Sequence, residues 1–227
     1  MLIFSVDTSG RRGSVALVSA TANSFDTLEI EALEGGSYSS RLIPELSSML
    51  ARRQLRKNDL EGFVVVSGPG SFTGLRVGLS AIKGLAEVFC RPVATVSMLE
   101  AIAARAEHRG RVVAALDAGR NEVYAGEYDL GEGAPKTIRE LLLGHAEFCA
   151  LLATNTVGEL VTPDPGLVAH APPYLRIRQI AWPDAGEIAR LGFGKILNGE
   201  IVSPEALEAN YIRRSDAEIF SNARSDS

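Results

Sequence analysis

The stretch Phe63-Val64-Val65-Val66-Ser67-Gly68-Pro69-Gly70-Ser71-Phe72-Thr73-Gly74 decides the fold class. It begins with an unbroken apolar run, which is typical of a strand buried on both faces and therefore of a parallel sheet. Glycines follow at once, and beyond them apolar residues recur at helical spacing up to Phe89. The stretch predicts a strand, a tight glycine-rich turn and a helix, the unit from which α/β domains are built.

The glycine-rich turn has two interpretations. Glycines between a buried strand and a helix let backbone N–H groups approach a phosphate, and the helix N-terminus favours its charge. The spacing is not a dinucleotide fingerprint, because Gly74 falls one position late. Alternatively, Gly74, Gly78, Ala81 and Gly84 are small positions that let another helix come close to this one. From the residues alone both interpretations stay open.

An aspartate ends the first strand of the chain. The apolar run from Leu2 to Val6 is broken by Asp7, and Thr8 and Ser9 follow. A carboxylate with two hydroxyls at the end of a strand can hold a nucleotide-bound Mg²⁺ ion, but it can also satisfy backbone N–H groups in a turn. The early aspartate indicates a strand rather than a secretion leader. We expect a soluble, cytoplasmic protein without a membrane segment.

The opening pattern of strand, aspartate, turn and strand returns later in the chain. It is repeated by Ala114 to Gly119, which includes Asp117, and by the apolar run from Glu122 to Tyr128. This echo predicts two related lobes, residues 1–106 and residues 107–227, of which the second carries the C-terminal helix and tail. Hairpins of this outline also arise by chance, so duplication of the lobe is a hypothesis.

Composition excludes several classes of protein. The chain has 227 residues, 46% of them hydrophobic, which is ordinary for a globular protein and excludes a disordered chain. Its 23 basic and 28 acidic residues give a net charge of -5, so a broad nucleic-acid surface is not expected.

The cysteines and histidines predict no metal site. Cys90 and Cys149 are interpreted as free thiols, without a nearby cysteine or histidine at zinc-ligand spacing. The three histidines His108, His145 and His170 include no close pair in the sequence, and we expect them to be surface or packing residues.

Several segments, taken in order, resemble the bacterial TsaB (YeaZ) family. The similarity covers about residues 1 to 128, and the stretch Gly-Pro-Gly-Ser-Phe-Thr-Gly-Leu-Arg from Gly68 to Arg76 is its most specific part. Tyr211-Ile212-Arg213 is similar to a C-terminal Tyr-Leu-Arg of the family. The other matching segments are Ile3 to Ser9, Ser14 to Leu17, Lys83 to Ala86 and Asp117 to Tyr124.

The resemblance implies both a fold and a function. The fold would be the two-lobed α/β architecture of acetate kinase, Hsp70 and actin, with a ribonuclease-H-like mixed sheet in each lobe. The function would be that of a non-catalytic scaffold for N6-threonylcarbamoyladenosine formation at position 37 of tRNAs that read ANN codons. The implied partners are the catalytic paralog TsaD and the ATPase TsaE, with tRNA reached only through them. Alone, the chain would form a homodimer.

The resemblance also implies a vestigial nucleotide cleft, with no catalytic residue, no metal and at most weak binding of ATP or ADP. The paralog's metal-binding histidine pair is absent from the segment Gly36 to Arg41, where this chain has Tyr38. Gly119 departs from the family's Asp-Ala-Arg-Arg, which weakens a second phosphate site. The predicted cleft residues are Asp7, Thr8, Ser9, Gly68, Gly70, Ser71 and Asp117.

Two predicted helices, Ser40 to Leu55 and Thr73 to Phe89, carry apolar stripes and small residues suited to a helical interface. Some of these side chains must face the chain's own sheet, and the sequence does not sort them. The partner-binding candidates are Leu42, Leu46, Met49, Leu75, Gly78, Leu79 and Ile82.

Three other functions stay open. The chain could be a small-molecule kinase of the same fold, with Asp7 on Mg²⁺ and Asp117 as the base. It could be a metallopeptidase-like protein or an NAD(P)-binding domain.

Overall fold

A computed structural model describes residues 1–154 and 156–212, which form two five-stranded sheets with helices around them. The predicted strand, glycine-rich turn and helix from Phe63 onward are confirmed as β4 and α2. Within the described ranges the strands are β1 Leu2–Asp7, β2 Arg12–Ala20, β3 Phe25–Glu34, β4 Gly62–Gly68, β5 Val93–Ser97, β6 Gly110–Gly119, β7 Glu122–Leu130, β8 Lys136–Gly144, β9 Glu159–Thr162 and β10 Arg176–Gln179. The helices are α1 Tyr38–Arg52, α2 Phe72–Phe89, α3 Met98–Ala103, α4 His145–Leu152, α5 Pro165–Val168 and α6 Ala185–Leu197.

The two sheets have the same topology. The first has the order β3-β2-β1-β4-β5, and the second has the corresponding order β8-β7-β6-β9-β10 when it is read from the other edge. In each sheet three antiparallel strands are followed by two strands parallel to the first of them. This correspondence supports the duplication hypothesis. The predicted class, two lobes each built on a ribonuclease-H-like mixed sheet, is confirmed.

The third helix of each lobe packs on the sheet of the other lobe. Helix α3 follows β5 of the first sheet but contacts β6 and β7 of the second. Helix α6 follows β10 of the second sheet but contacts β1, β2, β4 and β5 of the first, where Gly192 lies against Val64. The prediction placed the C-terminal helix in the second lobe; its apolar face is instead covered by the first sheet.

Helices α1 and α2 cover the opposite face of the first sheet. Side chains alternate along a strand, so Val6 of β1 points toward α2, while Ile3 points toward α6. The whole of β1 is buried between these layers. The first lobe therefore has helices on both faces, as the unbroken apolar run of β4 predicts.

The predicted partner-binding set does not lie on the surface of the isolated chain. All seven of its members are buried in the isolated chain, because the apolar stripes of α1 and α2 lie on the chain's own sheet and on each other. A substitution at any of these positions changes the core first. The residues are Leu42, Leu46, Met49, Leu75, Gly78, Leu79 and Ile82.

Helix α1 begins two residues earlier than the sequence predicts. Its first residue, Tyr38, is buried, and its hydroxyl donates a 2.8 Å hydrogen bond to the carbonyl oxygen of Gly10. This anchor adds residues before Ser40, so Pro44 lies inside the helix rather than in the first turn.

The helices of the described ranges are all too short or too polar to cross a membrane. Of the C-terminal motif, Tyr211 and Ile212 are described, whereas Arg213 and the tail predicted after it lie outside the described residues.

Candidate functional site

A buried carboxylate lies where β1 ends. Asp7 Oδ1 accepts hydrogen bonds from the backbone N–H of Ser9, at 2.8 Å, and from its hydroxyl, at 2.7 Å. Burial raises the pKa of Asp7 to about 6, although both hydrogen bonds from Ser9 act to lower it. The turn interpretation of Asp7 is therefore supported, and the chain keeps this carboxyl where its charge is poorly solvated.

The glycine-rich loop packs against the turn that follows Asp7. The N–H of Ser71 donates to the carbonyl oxygen of Ser9 at 2.6 Å, and the Thr8 hydroxyl donates to the carbonyl oxygen of Gly74 at 2.7 Å. A Cβ atom at Gly74 would lie 2.0 Å from the carbonyl oxygen of Thr8, and one at Gly78 would lie 2.3 Å from its hydroxyl oxygen. The packing interpretation of these glycines is supported, but their neighbour is the Thr8 turn, not a second helix.

Most of the predicted cleft residues are brought together. Asp7, Thr8, Ser9, Gly70 and Ser71 meet at this contact, where a Cβ atom at Gly70 would lie 2.4 Å from the carbonyl oxygen of Ser9.

Gly68 and Asp117 have other neighbours. Gly68 ends β4 beneath the carbonyl oxygen of Asn210. Asp117 is exposed in the second lobe, where its carboxylate accepts from the N–H of Gly119 and its own N–H donates to Asp164. The hydrogen-bond partners of Asp117 therefore lie in the second lobe, away from the contact formed by the other predicted cleft residues.

A cavity of about 490 Å³ opens beside the contact between the loop and the turn. Helices α1 and α2 both begin at its wall, and the positive ends of two helix dipoles favour an anion. Arg11 adds a full positive charge. The lining residues are Gly10, Arg11, Gly35, Gly36, Tyr38, Ser39, Ser71, Thr73, Gly74 and Val77.

Sequence reasoning missed most of this lining. Of the seven predicted cleft residues only Ser71 lines the cavity. Arg11 is not among the predicted cleft residues, although an arginine directly after the Asp7 turn is a usable signal for an anion site. Tyr38 stays protonated, because burial, assisted by the charge of Asp7, raises its pKa to about 12.

The last described residues cross the glycine-rich loop and reach the second lobe. The N–H of Asn210 donates to the carbonyl oxygen of Ser67, and its side-chain amide donates to Glu140 of β8 at 2.7 Å. The ring of Tyr211 lies 5.1 Å from that of Phe72, and its hydroxyl accepts from Arg76 of α2. Tyr211, which belongs to the C-terminal stretch that resembles the family, therefore packs against the N-terminal end of α2.

The prediction that Cys149 has no histidine nearby is wrong. Cys149 does have a histidine at helical spacing, because His145 precedes it by four residues on α4. His170 lies next to both, with its ring centroid 4.4 Å from that of His145 and its Nδ1 atom 4.0 Å from Cys149 Sγ. A close histidine pair therefore exists in space although it does not exist in the sequence.

Comparison with known proteins adds relatives. A family model described as "TsaD: tRNA N6-adenosine threonylcarbamoyltransferase" matches residues 35–154, which is 120 of the 227 residues. The Bacillus subtilis protein named tRNA threonylcarbamoyladenosine biosynthesis protein TsaB is 35% identical over 136 residues, 59% of this chain and 57% of that one. A Haemophilus influenzae protein of the same name is matched over 52% of its length, so the chain spans about half of each of these relatives.

Two further comparisons extend over nearly the whole chain. The Escherichia coli protein of that name is 27% identical over 96% of both chains. A solved structure described as YeaZ from Pseudomonas aeruginosa superposes with a TM-score of 0.76 at 26% identity, covering 92% of this chain and 99% of that one. The chain belongs to the family of the threonylcarbamoyltransferase model and, within it, to the TsaB (YeaZ) group.

Proposed function

We propose that this chain is a non-catalytic scaffold in the formation of N6-threonylcarbamoyladenosine at position 37 of ANN-decoding tRNAs. It binds and supports a TsaD-type transferase, and a TsaE-type ATPase joins the complex. The names of the relatives place them in the biosynthesis of this nucleoside. The net charge of -5 favours a role in which the partners make the tRNA contacts.

The observation that carries the scaffold role is Gly84, in the middle of α2. A Cβ atom there would meet nothing within 4 Å, so the fold of the isolated chain does not require a glycine. Glycine in a helix costs roughly 0.5–1 kcal/mol relative to alanine. A helix that retains it on an exposed face is suited to a close approach by another molecule.

The docking face proposed here consists of the exposed positions around Gly84. Ser80 and Val88 lie one turn before and after it, and Val88 is 76% exposed. On the neighbouring helix α1, Ile43 is 43% exposed. These side chains replace the buried set predicted from the sequence. In the absence of the transferase, the same face would pair two copies of this chain as a homodimer.

A charge on the docking face tests the proposal. The Ser80→Glu variant should stay folded, because Ser80 is exposed, yet bind the TsaD-type subunit at least about tenfold more weakly, because an unpaired carboxylate would be buried at the interface. Binding is measured by calorimetry, and tRNA modification is followed in the reconstituted system.

The matched control is Gln179→Glu, which is also an exposed position and lies on β10 of the second lobe. It should bind like the unmodified chain. If Ser80→Glu binds equally well, or if modification proceeds at full rate without this chain, the docking face or the scaffold role is wrong.

Weak binding of ATP or ADP is a second candidate role, favoured by the cavity at the two helix N-termini. A volume of about 490 Å³ lies within the usual range for small-molecule pockets. Arg11 would contact the phosphates, and hydrogen bonds to charged groups contribute about 1.5–3 kcal/mol.

The Arg11→Ala variant should therefore lower ADP affinity by about tenfold or more in an equilibrium titration. Arg12→Ala changes the neighbouring exposed arginine, which does not line the cavity, and should bind like the unmodified chain. Equal affinities in the two variants would remove the cavity as the nucleotide site.

A further inference from the structure

An arginine and two aromatic rings contact one another at the N-terminal end of α2. The guanidinium carbon of Arg76 lies 3.8 Å from the ring centroid of Phe72, and its Nε atom donates a 3.1 Å hydrogen bond to the hydroxyl of Tyr211. The centroids of the two rings are 5.1 Å apart. All three residues are exposed, so this arginine cluster forms part of the surface rather than of the core.

The arginine cluster is continuous with the docking face. Five exposed residues of α2 follow one another at four-residue intervals, so each is the neighbour of the next on the helix surface. Rows of this spacing are the ridges that pack into the grooves of another helix. The row consists of Phe72, Arg76, Ser80, Gly84 and Val88. A helix that packs on the last three of these residues therefore extends toward Arg76.

Arg76 differs from the arginines of the neighbouring helix in its charge balance. Arg41 and Arg52 of α1, and Arg53 at its C-cap, all form ion pairs with glutamates of this chain. Among the described residues, Arg76 contacts only the neutral groups of Phe72 and Tyr211 and no carboxylate. Its position is fixed by the fold, but its positive charge is not balanced there.

The free edge of the Arg76 guanidinium matches a carboxylate. The Nε atom and one face of the group are already in contact with Tyr211 and Phe72, whereas the two terminal Nη groups have no partner in the described ranges. Guanidinium N–H groups can donate two parallel hydrogen bonds to one carboxylate. Because the side chain is held in place before binding, it loses little conformational entropy. Arginine and tyrosine are also enriched among the residues that dominate binding at interfaces.

We propose that the arginine cluster anchors an Asp or Glu side chain of the TsaD-type subunit. The anchor rests on the proposed scaffold role, because it belongs to the same complex. A phosphate of RNA would fit the same donors, but the net charge of -5 and the continuity with Ser80 and Val88 favour a protein carboxylate. This chain supplies the fixed cation, and the partner supplies the anion.

The test compares Arg76→Gln with Arg190→Gln in calorimetric titrations of the TsaD-type subunit at low and at high salt. Arg76→Gln should weaken binding at least about tenfold at low salt, and its affinity should vary less with salt than that of the unmodified chain. Arg190 is also exposed and lies 4.1 Å from the ring centroid of Phe25, but it belongs to α6 on the other face of the first sheet. Arg190→Gln should therefore bind like the unmodified chain.

A double-mutant cycle identifies the partner's carboxylate. Each exposed Asp or Glu of the TsaD-type subunit is replaced by its amide and titrated with the unmodified chain and with Arg76→Gln. One replacement should weaken binding to the unmodified chain yet have little further effect on Arg76→Gln. Tyr211→Phe is a second variant that keeps the ring contact but removes the hydroxyl that holds Arg76; it should weaken binding less than Arg76→Gln does.

The anchor and the docking face fail in different ways. If Ser80→Glu weakens binding but Arg76→Gln does not, the anchor is wrong and the docking face stands. If neither substitution weakens binding, the docking face is wrong and the anchor with it. If no amide replacement is coupled to Arg76, or if Arg76→Gln weakens binding of isolated tRNA and leaves partner binding unchanged, the carboxylate anchor is overturned.

Discussion

Replacing Gly74 with alanine is expected to lower the free energy of unfolding by about 3 kcal/mol or more. The added Cβ atom would lie 2.0 Å from the carbonyl oxygen of Thr8, far inside van der Waals contact. Both sides of this contact are backbone, in α2 and in the turn after β1, so neither side can yield by changing a rotamer. The loss is measured by denaturant unfolding followed by circular dichroism at one fixed protein concentration.

A glycine-to-alanine substitution ten residues later should change the free energy of unfolding in the opposite direction. Gly84 also lies in α2, but a Cβ atom there meets nothing within 4 Å. Gly84→Ala should therefore raise the free energy of unfolding by roughly 0.5–1 kcal/mol through helix propensity alone. If the two variants shift the unfolding curve in the same direction, the close contact between α2 and the Thr8 turn is not what places glycine at position 74.

The second large effect concerns the buried carboxylate. Asp7→Asn is expected to raise the free energy of unfolding at pH 7 by up to about 3 kcal/mol, because burial raises the pKa of Asp7 from 3.8 to about 6 in the folded chain. Asparagine has nearly the same shape and keeps an oxygen for the hydrogen bonds from Ser9, but it carries no charge to desolvate.

The sign of the pH dependence follows from that shift. Between about pH 4 and pH 6 the folded state holds a proton on Asp7 that the unfolded state has lost, so this group's contribution to stability falls as pH rises. It is fully present below the unfolded pKa and is lost above about pH 6. The stability difference between Asp7→Asn and the unmodified chain should grow across this window and stay level above it.

Asp26→Asn, an exposed position on β3, is the control and should show no such growth. Parallel curves for Asp7→Asn and the unmodified chain would contradict the burial argument.

Part of the fold could be predicted from the sequence because the relevant signals are local. The apolar run of β4, the glycines after it and the helical spacing up to Phe89 lie next to one another in the chain. The repeated pattern around Asp7 and Asp117 indicates two related lobes, and the matching strand orders agree with it. Each element is predicted from neighbouring residues, and the repeat compares two such local patterns that lie 110 positions apart.

The remaining features depend on which surfaces meet, and periodicity does not contain that information. The apolar stripes, with Leu42 on α1 and Leu79 on α2, show that each helix has an apolar face. That face can be buried against a sheet of the same chain or against a helix of a partner, and the pattern does not distinguish the two. The chain's own sheet is always present, so it takes that face. Only the exposed positions between the buried ones remain for a partner.

The sites themselves are assembled from distant segments. Arg11 and Thr73 line one cavity although about sixty residues separate them, and His170 reaches Cys149 across twenty-one positions. A sequence scan that looks for ligands at short fixed spacing does not find such pairs. Chemistry that depends on tertiary contacts is set by the fold and is not encoded in short sequence spacings.

The exchange of α3 and α6 between the sheets also constrains the order of events during synthesis. Strands β1 to β5 leave the ribosome well before residues 185–197 are synthesised. The face of the first sheet that α6 later covers therefore stays exposed while the second lobe is translated. The nascent chain therefore exposes Val64 and its neighbours until late in translation. Chaperone dependence of this protein should concentrate in that interval.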